Sequence, residues 1–148
     1  MEAPVPDSYK SILNDPAIRI GLKQAWQDSI PGLAGGHEEG GFIVQDSANH
    51  LRVLQWPKGL QNSIVVPPHH GCQIGEQNIV ASFHTHPNTG SDFLQEPGET
   101  DKRAVCDDPD LKGAAYVGEF VISQETIYLI MPTGQISEVD ETQVVFAE

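Results

Sequence analysis

A chain of 148 residues has the size of one ordinary domain and can bury a hydrophobic core without disulfide staples. Its 21 acidic against 8 basic residues give a formal net charge of −13, which argues against nucleic acid or an anionic membrane as partner, since both require basic patches. No apolar run approaches the ~20 residues of a membrane-spanning helix, and no basic start followed by an apolar run marks a conventional signal peptide. The expectation is a soluble protein, either cytoplasmic or exported by a route that leaves no such mark.

In chain order, residues 1–11 hold two prolines among polar residues and read as a flexible arm. Asp15 can cap and Pro16 suits a first helical turn. Ile18, Leu22, Ala25 and Trp26 recur at near-helical spacing, and Ile30-Pro31-Gly32 ends the pattern, which predicts a helix over 16–29. Gly32, Gly35 and Gly36 surround a loop, and His37-Glu38-Glu39 leads into a strand at 40–46. A turn at 46–50 precedes a strand at 51–56, broken by Pro57 and Gly59. A short strand is expected at 63–66, stopped by Pro67-Pro68, followed by a loop at 69–75. Residues 77–83 form an apolar strand that runs directly into His84-Thr85-His86. Residues 87–97 are irregular, and 99–106 suit a short helix with Ala104 and Val105 inward. Strands are expected within 113–123, at 126–131, at 136–139 and at 142–146. The pattern is one α+β domain spanning 1–148, with a mixed, mostly antiparallel sheet flanked by helices.

Charge is uneven along the chain. Residues 1–74 carry seven acids and five bases, whereas 75–148 carry fourteen and three. The acidic half suits solvated surface or a basic partner. Cys72 and Cys106 match no metal knuckle or redox pair, and free thiols are expected, with a disulfide left open.

The chemistry concentrates at His84 and His86. Alternate residues of a strand share a face, so both imidazoles can aim at one point while the strand holds them rigid. Imidazole is a good zinc ligand at neutral pH, and Pro87 ends the strand at a rim that a substrate can reach. The bland reading is two hydrogen-bonded histidines at a strand end. A catalytic zinc takes three protein ligands and keeps one position for water. Asp92, Glu96, Glu99 and Asp101 are the downstream carboxylates, with Asp101 the more rigidly placed and Asp92 able to reach. Glu38 and Glu39 are the candidate general bases at the entry to the first strand.

Glu38-Glu39-Gly40-Gly41-Phe42-Ile43, then Ser82-Phe83-His84-Thr85-His86-Pro87, then an aspartate after a loop, resembles the JAMM/MPN+ (JAB) zinc metalloprotease family. The order of elements follows it over roughly 16–131, and three short motifs carry it. The resemblance implies a JAB/MPN-like fold and a zinc-dependent hydrolase of peptide or isopeptide bonds acting on a protein or peptide. It implies His84, His86 and Asp101 as zinc ligands, with Asp92 in reserve. It implies Glu38, three residues before Gly41, as the base, with Glu39 in reserve. Pro97-Gly98-Glu99-Thr100-Asp101 has the frame of the family's Pro-Ser-x-x-Asp, but Gly98 replaces the serine that helps hold the oxyanion, and fourteen residues intervene between His86 and Asp101, more than is common. Ser91 or Thr100 is the candidate substitute for that serine. The helix before Glu38 and the His-Thr-His-Pro form look most like the bacterial branch found in polymorphic toxins.

His37 is a candidate cleft residue, though a plain loop histidine is the simpler reading. His69-His70 with Cys72 lacks the partner pair that a second metal site needs. His50 is expected at the surface, and Trp26 and Trp56 as core anchors. The rival functions are a catalytically weak protein-interaction domain of the same fold and a metal-stabilised domain without activity.

Overall fold

Asp15 and Pro16 start the predicted helix as expected. Asp15 Oδ1 accepts from the Ala17 N–H at 2.9 Å and the Ile18 N–H at 3.4 Å, and Pro16 occupies the first turn, where a missing N–H costs nothing. The computed structural model describes residues 8–29, 36–60, 64–86, 103–105, 107–111 and 116–146. Its elements are α1 (Ser8–Asn14), α2 (Pro16–Asp28), β1 (Gly40–Gln45), β2 (Leu51–Gln55), β3 (Gln73–Ile74), β4 (Gln77–Thr85), a 3-10 turn at Pro109–Leu111, β5 (Glu119–Ile122), β6 (Thr126–Ile130), β7 (Ile136–Glu141) and α3 (Thr142–Val145).

The α+β class holds. One seven-stranded sheet runs in the order β2-β1-β4-β5-β6-β7, with β3 paired beside β4. Among the described residues every pairing between these strands is antiparallel except β4 with β5, which is parallel. On one face lie α1 and α2, whose Ile12, Leu13, Ile18, Leu22 and Ala25 pack against Ile43, Phe83, Phe120, Ile122 and Leu129. On the other face Phe42, Val44, Ile79, Val121 and Ile130 meet Trp56, Cys72, Val105, Leu111 and Tyr116.

Four local expectations need correction. Residues 8–11 are helical rather than part of an arm, because Ile12 and Leu13 are buried and Arg19 Nε donates to Leu13 O at 2.7 Å, satisfying a carbonyl at the end of α1. Residues 64–66 are not a strand, since the adjoining prolines remove the N–H groups a ladder needs. Within 113–123, where a strand is expected, Glu119–Ile122 forms β5 and 116–118 is irregular, 113–115 lying outside the described residues. Residues 142–145 form a helical turn instead of a strand. Thr142 Oγ1 donates to Ser123 O at 2.9 Å and the Thr142 N–H donates to Glu125 O at 3.0 Å, which turns the chain back over the sheet. In the predicted 69–75 loop, Gln73–Ile74 pairs with β4. The helix predicted at 99–106 is represented by helical residues 103–105, its remainder lying outside the described residues.

Two features set the phase of β4. Ile43 pairs with Ala81 but Val44 with Ile79, so Val80 is an extra residue in the ladder. Val80 and Ala81 therefore both enter the helix-side core, and the alternation restarts with Ser82 on the opposite face. Without that bulge, the histidines would point at the helices. Gly40 lies opposite His84, and a Cβ there would meet the Trp56 ring at 2.6 Å and Phe83 O at 2.7 Å, so only glycine lets the indole lie across this strand.

Candidate metal centre

β4 is held by β1 on one side and β5 on the other, and its residues from Ile79 to Thr85 are all buried. Its last turn of alternation places His84 and His86 on the face away from α2. Their Nε2 atoms lie 3.2 Å apart. Two nitrogens each ~2.05 Å from one tetrahedral zinc stand about 3.3 Å apart, so the spacing of the pair fits shared ligation of one such ion. His84 is buried at 3% exposure, whereas His86 is partly open. The pair thus has a rigid inner member and an outer member nearer solvent.

The two candidate bases separate by face. Gly40 pairs with His84, so continuing the antiparallel register brings Glu39 opposite Thr85 and Glu38 opposite His86. Glu38 therefore shares the face of the histidines. It is 6% exposed, and its backbone is clamped, its N–H donating to Leu60 O at 2.7 Å and its C=O accepting from the Gly59 N–H at 2.9 Å. Glu39 belongs to the helix side. One carboxylate oxygen accepts from Gln55 Nε2 at 2.6 Å, and the other lies 2.7 Å from His37 Nε2. Gln55 also reaches Asp28 of α2 at 3.3 Å.

Thr85, between the histidines, faces the helices and anchors the strand end. Ser29 Oγ donates to Ala25 O at 2.9 Å, so Thr85 Oγ1 donates to Ser29 Oγ at 2.6 Å and accepts from the Glu39 N–H at 3.0 Å. The His-Thr-His triplet thus presents two imidazoles on one face and a hydroxyl tie to α2 on the other.

A residue that sequence reasoning missed lies behind His84. Glu119 opens β5, otherwise the apolar run Phe120-Val121-Ile122, and the parallel register sets it beside Ser82. Its Oε2 lies 2.8 Å from His84 Nδ1 and its Oε1 accepts from Ser82 Oγ at 3.0 Å. Ser82 Oγ lies 2.7 Å from Tyr116 Oη. Burial first, then the nearby Glu119 charge, push the Tyr116 phenol well above its usual value of 10.0. The only local sign was an acid at the head of an apolar strand, and nothing in spacing joins position 119 to position 84.

Asp101, Asp92, Ser91, Gly98 and Thr100 lie outside the described residues. Among the described residues no group of three histidine, cysteine, aspartate or glutamate side chains is placed to hold a metal, so the described part of the centre is the histidine pair with Glu38 and Glu119 around it. His69 serves elsewhere. Its Nδ1 lies 2.9 Å from Pro67 O and its Nε2 2.8 Å from Asp108, while Asp110 accepts from the Gly71 N–H at 3.1 Å, tying 107–111 to the loop after the two prolines. His50 is exposed, and Cys72 is buried with its thiol donating to Ile79 O at 3.3 Å. No helix among the described residues is long and apolar enough to cross a membrane.

No protein-family model matches the chain, and comparison with curated proteins and with solved structures returns no match.

Proposed function

We propose that this protein is a zinc-dependent hydrolase of peptide or isopeptide bonds, a JAB/MPN-like member of the JAMM/MPN+ metalloproteases close to the bacterial, toxin-associated branch. One observation carries the reading. Two imidazole Nε2 atoms stand 3.2 Å apart at the end of a fully paired central strand, with a buried glutamate on the same face. That spacing is close to the separation of two nitrogens on one tetrahedral ion, about 3.3 Å. The motif order in the sequence supports it, and Asp101 is the third ligand by that frame, with Asp92 in reserve.

Zinc held by these residues would supply Lewis acidity, lowering the pKa of a water towards ~7 and polarising the scissile carbonyl. Glu38 takes the proton of the attacking water and returns it to the leaving amine. His84 and His86 fix the geometry because their strand cannot slip without breaking its ladders with β1, β3 and β5. The fourteen acids of residues 75–148 suit a basic protein or peptide as substrate.

Gly98, standing where the family has serine, favours one rival, a protein-interaction domain whose centre is weak or silent. Loss of an oxyanion donor costs about 10²–10³ in rate. Both readings are separated by zinc stoichiometry measured on the full chain, followed by cleavage of a panel of peptides and ubiquitin-like conjugates. One equivalent of zinc with cleavage is expected. Glu38→Gln is expected to keep the zinc and lose roughly 10²–10⁴-fold in kcat/KM. Zinc without cleavage across the panel supports the silent domain, and no zinc rejects the hydrolase.

A further inference from the structure

We propose that Glu119 is a positioning residue for His84: through a directed chain Tyr116–Ser82–Glu119 it holds the His84 proton on Nδ1 and turns the Nε2 lone pair towards the point that His86 also faces. This rests on the metal reading above and deepens it, since it names what prepares the inner ligand.

The direction of the chain follows from counting hydrogens. Ser82 has one hydroxyl proton, and its Oγ donates it to Glu119 Oε1 at 3.0 Å. Tyr116 Oη, 2.7 Å from the same Oγ, must then be the donor of that contact. A phenol whose proton is held tightly by burial suits that role. As a carboxylate, Glu119 accepts from Ser82 on one oxygen and offers the other, 2.8 Å from His84 Nδ1, as an acceptor. His84 answers by carrying its proton on Nδ1, and a neutral ring then has its lone pair on Nε2.

Cost argues for purpose. Glu119, Ser82 and His84 are at most 5% exposed, and burying a carboxylate is costly until its hydrogen bonds offset the lost hydration. An apolar residue at the head of β5 would serve the core better. A carboxylate behind a ligating imidazole fixes ring orientation and raises ligand basicity, and removing such a partner typically weakens metal binding 10–100-fold.

Glu119→Gln tests the chain almost isosterically. With Tyr116 and Ser82 unchanged, Ser82 still needs an acceptor, so the Gln oxygen turns to Ser82 and its NH₂ faces His84 Nδ1. The imidazole is then expected to move its proton to Nε2. The first measurement uses the metal-free wild-type chain in mildly alkaline buffer. Long-range ¹H–¹⁵N correlations of the His84 ring are expected to show the Nδ1–H tautomer, and a proton on Nε2 overturns the proposal whatever the variant does. The second compares zinc affinity by competition with a chromophoric chelator. Glu119→Gln is expected to bind 10–100-fold more weakly than wild type with the Nε2–H tautomer in its metal-free form, and unchanged affinity overturns the proposal. Should that variant not fold, Ser82→Ala leaves the carboxylate but removes the donor that orients it, and the same reading applies with a smaller loss expected. A wild-type chain that binds no zinc yet shows the Nδ1–H tautomer rejects the metal reading while leaving the Glu119–His84 relation standing.

Discussion

Thr85 shows how a single hydroxyl decides the attitude of a strand end. It is fully buried, takes the Glu39 N–H and passes its own proton to Ser29 at the end of α2. Thr85→Val keeps shape but strands the Glu39 N–H without an acceptor, a loss of about 1–3 kcal/mol. Urea unfolding is expected to show a lower midpoint with an unchanged m-value. Ser29 keeps its bond to Ala25 O, so the loss belongs to the Glu39 side. Tyr116 makes a second residue-scale prediction. Its folded pKa is raised, first by burial and then by Glu119, so the folded state holds the phenolic proton more tightly than the unfolded chain. Its contribution is therefore complete below the unfolded value of about 10 and is lost as pH rises beyond it. Thermal melts above pH ~10 are expected to fall more steeply for wild type than for Tyr116→Phe, in which that titration is gone.

At the scale of elements, the approach to β5 is the most constrained piece of backbone around the centre. Gly118 has φ 141°, and a Cβ there would run into Ile130 O of the neighbouring β6. Its carbonyl accepts from the Ser82 N–H at 3.1 Å, and Val117 N–H donates to Val80 O at 2.8 Å, so the glycine is the hinge that delivers Glu119 to Ser82 and His84. Gly118→Ala is expected to cost at least about 2 kcal/mol through the disfavoured φ and the collision together, measurable by chemical denaturation. It is also expected to weaken zinc binding beyond what lost stability explains, because it displaces the carboxylate behind His84. The bulge at Val80 has the complementary task in β4, since one residue more or less flips every later side chain to the other face.

At the scale of the whole molecule, the candidate centre lies at the one parallel junction among the described strands of an otherwise antiparallel sheet. A parallel pair needs a long crossover, so the chain must leave β4 at the histidine end and return to the start of β5. The crossover therefore begins at His86 and ends at Glu119, and its sequence holds the predicted aspartate ligand. Much of the fold was readable along the chain. The α2 periodicity, the Asp15 cap, the paired strands at 40–45 and 51–55 and the closing hairpin all rest on local spacing and turn residues, which need no distant partner. α1 was missed because seven residues show barely two turns of pattern, and its stability comes from packing Ile12 and Leu13 rather than from propensity.

By itself the sequence determined that two imidazoles share one strand face, because strand alternation is a local property of the chain. It also singled out Glu38 and Glu39 as the candidate bases and marked an acidic, single-domain α+β protein. Only the tertiary structure decided which face that is, through the bulge at Val80, and which glutamate shares it, through the register of Gly40 with His84. It alone brought Glu119 to His84 across thirty-five positions. The reason is physical. Alternation fixes side chains relative to their own strand, whereas face, register and partner depend on hydrogen-bonded pairing between strands that meet only when the whole sheet is assembled.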